Sequence, residues 1–139
     1  MNRVVITGLG AITPLGNNVP EFWSNILAGK SGAGPITKFD TTKFKTSFAC
    51  EVKGFKAEDY IEKKEIRKYD LFTQYAIAAS DEAIKDAGLD FKNMTQEERF
   101  DVGVIWASGN GGITTFEEQL KSFIQVMARR DLTHSLFQR

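Results

Sequence analysis

Nucleophilic and acid–base chemistry near neutral pH draws on thiolates, imidazoles and carboxylates held in the right company. This chain offers one cysteine, Cys50, and one histidine, His134. Cys50 falls inside a stretch of strand character with no histidine near it in sequence, which points to a buried, inert thiol. His134 stands alone in an arginine-rich tail, where a solvated side chain is expected. One cysteine excludes an internal disulfide, and one histidine beside it leaves too few soft ligands for a structural zinc site.

Two glycine-rich turns invite a phosphate. Gly8-Leu9-Gly10-Ala11-Ile12-Thr13 follows a β-branched run, as a dinucleotide turn would, but Thr13 stands where the third glycine belongs and a loop with Pro14 replaces the immediate helix. Gly29-Lys30-Ser31 matches the end of a P-loop, yet Ser24 occupies the earlier glycine position and the triplet follows a helix. A nucleotide-binding α/β domain is therefore the weakest of the readings carried forward. The third cluster is a charge run from Asp59 to Asp70. It reads as a solvated helix face laced with i,i+4 pairs, or as a small basic patch of Lys63, Lys64, Arg67 and Lys68 for an acidic partner.

The elements that must position these residues are legible in outline. Arg3 to Thr7 has the pattern of a buried strand entering a tight turn, followed by a helix over Glu21 to Ala28. A loop-rich region with a strand over Ser47 to Val52 leads to a long helix from Glu65 to Ala87, with Gly88 as its C-cap. Alanines at 76, 79, 83 and 87 recur on one face of that helix, which requires a neighbouring backbone packed close. Asp101 to Ala107 is a second apolar strand, followed by the turn Ser108-Gly109-Asn110-Gly111-Gly112 and a helix over Thr115 to Gln125. Strand, glycine turn and helix thus occur twice, the pattern of an α/β layered fold with a largely buried sheet.

The whole chain of 139 residues is of single-domain size. Lysine plus arginine equals aspartate plus glutamate at 18 each, so no net field marks it for nucleic acid or an anionic membrane. Neither a signal peptide nor a membrane span is visible, and a cytoplasmic protein is expected.

The order of the landmarks carries a resemblance. Val4-Val5-Ile6-Thr7-Gly8-Leu9-Gly10-Ala11-Ile12-Thr13-Pro14-Leu15-Gly16 is similar to the opening of elongating β-ketoacyl-acyl-carrier-protein synthases, above all the type II condensing enzyme. Phe22-Trp23, Gly29-Lys30-Ser31-Gly32, Gly34 to Asp40, Phe48-Ala49, Arg67 to Asp70, Gln74-Tyr75-Ala76, Asp86 to Leu89 and Gly111-Gly112 follow in the family's order. The resemblance spans about residues 2 to 125.

It implies a thiolase-like fold, of which this chain would supply an incomplete first half, as a layered, mostly parallel sheet with helices, in an enzyme that is normally a homodimer. The family moves an acyl group from carrier protein to a cysteine, decarboxylates malonyl-ACP and joins the carbanion to the acyl thioester. It needs a thiolate, two histidines and oxyanion-binding amides, and no cofactor. Cys50 and His134 match none of those motifs, so no catalytic residue and no metal ligand is expected here. By position, Lys64, Arg67 and Lys68 match basic residues that meet acyl carrier protein. Asn110 stands where the family has an isoleucine lining the acyl pocket, and an amide beside an alkyl chain is costly to bury.

Residues 1–125 are thus read as a partial synthase domain and 126–139 as a tail outside the family. Permitted codons for Val126 to Arg139, read in another frame, encode Asp-Gly-Thr-Pro-Arg-Phe-Asn-Pro-Phe-Phe-Ile-Pro-Lys, the kind of segment relatives carry there, so a frameshifted end is expected. The expected function is that of a fragment of a 3-oxoacyl-ACP synthase, inactive alone. The alternative is a non-catalytic module that binds acyl carrier protein.

Overall fold

The computed structural model describes residues 3–136. Its centre is a long helix, Leu71–Asp86, here α3, and most of the other elements are arranged by what it offers them.

Helix α1 spans Val19–Leu27. It begins two residues before the sequence pattern suggests because Asn18 caps it. The Asn18 side chain accepts from the Glu21 N–H at 2.8 Å, while the Glu21 carboxylate accepts from the Asn17 N–H at 2.9 Å. Beyond it, β1 (Gly34–Pro35) and β2 (Phe48–Ala49) pair antiparallel, Gly34 opposite Ala49 and Pro35 opposite Phe48. The strand expected over Ser47 to Val52 shrinks to these two residues. Past them the Glu51 side chain, not the ladder, holds the facing chain: it accepts from the Thr37 N–H at 3.1 Å and from its hydroxyl at 2.7 Å.

A short 3-10 turn, Ala57–Asp59, leads into α2, Lys63–Ile66, and then α3, Leu71–Asp86. A single helix from Glu65 to Ala87 was expected, and the chain breaks it at Asp70. Asp70 adopts an extended ψ of 157° as the N-cap of α3. Carbonyls freed by the break are recovered by Gln74, whose Nε2 donates to Tyr69 O at 2.8 Å and Ile66 O at 3.3 Å. At the far end Gly88, at φ +67°, closes α3 as expected: its N–H reaches Lys85 O at 3.1 Å and Leu89 N–H reaches Ile84 O at 3.1 Å, the Schellman pairing.

Helix α4, Gln96–Phe100, has no counterpart in the sequence reading, although its start is a capping box. Thr95 N–H donates to the Glu98 carboxylate at 2.7 Å and Glu98 N–H donates back to the Thr95 hydroxyl at 3.3 Å. Helix α5 runs Ile113–Leu136, longer at both ends than expected. It crosses residue 125 without a break in the backbone.

Among the described residues the buried side chains are mostly small: Ala57, Ile61, Ala76, Ala78 and Ala79. Beside them the Phe55 ring meets Tyr75 edge-on at 4.9 Å and stacks with Tyr60 at 6.0 Å. Burial pushes the Tyr75 phenol above its ordinary pKa.

The layered, mostly parallel sheet expected from the sequence is not formed among the described residues. The two-residue pair β1 and β2 is the sheet there. Arg3 to Thr7 and Val102 to Ala107 form no strand, with Val4 91% and Ile105 99% exposed. A strand is held by the backbone groups of its neighbours, and no described segment pairs with either stretch in a ladder.

Candidate functional site

The glycine turn after Arg3 to Thr7 is held against α3 by contacts that leave no room for side chains. A Cβ on Gly8 would come within 2.6 Å of Ala87 N, and one on Gly10 within 2.8 Å of Ala83 N. The alanine face of α3 therefore faces a backbone, as its composition requires. Two carboxylates of the same helix fix the turn electrostatically. Asp86 accepts from the Leu9 N–H at 2.9 Å; Glu82 accepts from Ala11 N–H at 2.9 Å with one oxygen and from Val19 N–H at 2.8 Å with the other. Glu82 thus ties the turn to the first residue of α1, where a negative charge also meets the positive end of a helix. Residue-by-residue reading missed both anchors. Their signal is the spacing of four that puts Glu82 and Asp86 on one face of α3, beside the alanines.

The basic residues sit where α2 projects from this frame. Lys64, Arg67 and Lys68 are all exposed. Lys64 pairs with Glu62 at 2.7 Å and Lys68 with Glu65 at 2.9 Å, and no ion pair to Arg67 occurs among the described residues. Such exposed pairs are weak and readily exchanged for another acidic partner.

The second glycine turn leads into α5. Asn110 is exposed on it, and Ser108 Oγ accepts from the Gly111 N–H at 3.1 Å. Asp70, released from capping its own helix, reaches across instead: its carboxylate accepts from the Thr115 hydroxyl at 2.6 Å and fills the space a side chain on Gly112 would need. That link joins the start of α3 to the start of α5. Between α3 and Val102 to Ala107 lies an open apolar groove of about 470 Å³, lined among others by Phe72, Ala76, Ile77, Ile84, Val104 and Trp106. Asn110 is not among its lining residues.

Cys50 differs from expectation. Its thiol is exposed, just past β2, in a shallow groove with Lys38, Glu51 and Tyr75. The two-residue ladder leaves the strand too short to bury it. Glu51 in that groove is held below the ordinary glutamate pKa, chiefly by the Thr37 hydroxyl and then by the Thr37 N–H. None of the residues lining that groove stands at the N-terminus of a helix. His134 lies in α5, its side chain outside the described residues.

Residues 1–134 match the family model described as beta-ketoacyl synthase, N-terminal domain. The chain belongs to the β-ketoacyl synthase N-terminal domain family. The synthase domain is 47% identical over 128 residues to the 3-oxoacyl-[acyl-carrier-protein] synthase 2 of Staphylococcus aureus strain N315, covering 92% of this chain and 30% of that protein. It is 44% identical over 128 residues to the protein of the same name from Vibrio cholerae, with the same coverage. Among solved structures it is similar to the ishigamide ketosynthase/chain length factor, with a TM-score of 0.59 and 40% identity over 65% of this chain and 22% of that one. The synthase domain thus spans about 30% of the length of the curated relatives it matches. No helix of the described residues is long and apolar enough to cross a membrane, and no metal-binding group of acidic, histidine or cysteine side chains occurs among them.

Proposed function

We propose that this chain is the N-terminal part of an elongating 3-oxoacyl-ACP synthase of fatty acid synthesis, a cytoplasmic enzyme, and that it does not condense acyl groups by itself. The observation that carries the reading is the match of residues 1–134 to the synthase N-terminal domain. Decarboxylative condensation requires a thiolate to hold the acyl group and imidazoles to stabilise the enolate of malonyl-ACP. Cys50, exposed just past β2 in a shallow groove, is the wrong place for the first. One histidine cannot supply a pair. In the full enzyme the glycine turns and α3 belong to a thiolase-like layered fold that works as a homodimer, and this chain supplies part of its first half.

Within that reading, Lys64, Arg67 and Lys68 are the contact for the acidic face of acyl carrier protein, supported by their exposure on and after α2. Asn110 borders the acyl pocket once the fold is complete, where an amide is costly to bury beside an alkyl chain unless it is hydrogen-bonded, which weighs against a long-chain preference.

Intact-mass measurement after incubation with acyl-ACP tests the central point. The expected result is an unchanged mass, and a stable acyl adduct on Cys50 would overturn the reading.

A further inference from the structure

The loop between β1 and β2 brings cationic and aromatic side chains together outside the sites described above. From Thr37 to Phe48 it carries Lys38, Lys43 and Lys45 beside Phe39, Phe44 and Phe48, with Asp40 as its one acid. The backbone gives this loop a defined form. Ile36 N–H donates to Ser47 O at 3.0 Å, one step beyond the two-residue ladder, and Phe44 N–H closes the tip on Thr41 O at 2.9 Å. The Thr37 N–H and hydroxyl are clasped at the base by Glu51. Every residue from Thr37 to Phe48 except Thr41 is exposed.

Phenylalanine has no polar atom to justify a place in water, yet Phe39, Phe44 and Phe48 are 54%, 62% and 63% exposed. Phe39 and Phe44 meet edge to face with centroids 5.4 Å apart, so their rings form one apolar knob and not two scattered residues. The lysines beside it are not spent on the fold: no ion pair to Lys38, Lys43 or Lys45 occurs among the described residues. Asp40 is engaged within the loop, where its two oxygens accept from the Thr42 N–H and hydroxyl, each at 3.0 Å.

Phenyl rings and ammonium groups offered together by one exposed loop suit a partner that has an anionic layer over hydrocarbon. We infer that the loop between β1 and β2 is a contact for an anionic lipid surface, with the Phe39 and Phe44 rings entering the headgroup boundary and Lys38, Lys43 and Lys45 meeting lipid phosphates. The zero net charge of the whole chain does not oppose this, because attraction to such a surface acts within a Debye length and is set by the local lysines. Two other anionic partners fit less well. Nucleic acid stacks its bases on open ring faces, and Phe39 and Phe44, at 66° to each other, present no parallel pair. An acidic protein answers the lysines, but a soluble surface seldom has an apolar patch wide enough to receive the rings.

The test is co-sedimentation of the purified full chain with vesicles of phosphatidylglycerol and phosphatidylcholine, compared with vesicles of phosphatidylcholine alone. Binding is expected with the anionic vesicles only, and raised salt should weaken it. Lys43→Glu combined with Lys45→Glu should weaken binding at least about tenfold, while the same charge change at the exposed Lys92 and Lys121 should leave it unchanged. Neither Lys43 nor Lys45 has a side-chain partner among the described residues, so circular dichroism should be the same for parent and loop variant. Phe44→Trp should keep binding, and anionic vesicles should shift its emission to the blue and shield it from an aqueous quencher, relative to the parent chain. No binding, equal binding to uncharged vesicles, equal loss in the two double variants, or a Phe44→Trp emission that anionic vesicles do not move overturns the inference. A loop variant that loses affinity for acyl carrier protein while the parent chain ignores vesicles also overturns it, and assigns the loop to an acidic protein.

Discussion

Gly10 packs so closely on Ala83 that a Cβ added to the glycine would stand 2.8 Å from the alanine's backbone nitrogen. The glycine turn and the alanine face of α3 are one contact, made of two backbones with no side chain between them. Gly10→Ala must push the helix and turn apart, an overpacking cost of about 1–3 kcal/mol. Urea denaturation should show that loss, while Gly109→Ala, with nothing within 4 Å of its added methyl, stays within about 0.5 kcal/mol of the parent chain.

The same turn is fixed electrostatically by Glu82, which accepts backbone N–H groups from Ala11 and Val19. Glu82→Ala strands two donors and is expected to cost about 1.5–3 kcal/mol, the range for hydrogen bonds to a charged group. Glu82→Gln keeps one carbonyl acceptor and should cost visibly less. Equal losses for the two variants would show that the carboxylate is not what joins the turn to α1.

The capping box of α4 gives a prediction in pH. Glu98 is held below the ordinary glutamate pKa, first by the Thr95 N–H and then by the Thr95 hydroxyl. A carboxylate depressed in the folded state adds stability that is fully present above its unfolded pKa and lost as pH falls through the folded value. Helix α4 should therefore loosen in mild acid, below the ordinary glutamate range, as read by amide exchange of residues 96–100. Thr95→Ala should lower its stability by about 1 kcal/mol at neutral pH and flatten that acid response.

Carrier-protein binding bears on α2. Reversing Lys64, Arg67 and Lys68 together to glutamate should weaken binding of acyl carrier protein at least about tenfold at low salt, and raised ionic strength should weaken the parent chain in the same direction. Calorimetric titration reads both. Binding that ignores the triple reversal would move the contact elsewhere.

How far the sequence spoke for the structure depends on the range of the force involved. Local signals were readable: Gly88 as the cap of α3 and the alanine face that demands a close backbone. The break at Asp70 was not, because a charge run looks helical until the carboxylate finds Thr115, which lies 45 residues away. The exposure of Cys50 was missed for a related reason. Asp101 to Ala107 and Arg3 to Thr7 read as strands of a largely buried sheet, and they keep that composition, but burial and pairing depend on neighbours that a single stretch of sequence cannot provide. The capping box at Thr95 and Glu98 was present in plain view, and a search for that motif finds α4.

The most direct test of the account is a condensation assay on the purified chain with acyl-ACP and labelled malonyl-ACP. The account predicts no release of labelled carbon dioxide above the protein-free rate and no 3-oxoacyl product. Turnover that disappears in Cys50→Ala or His134→Ala would contradict it.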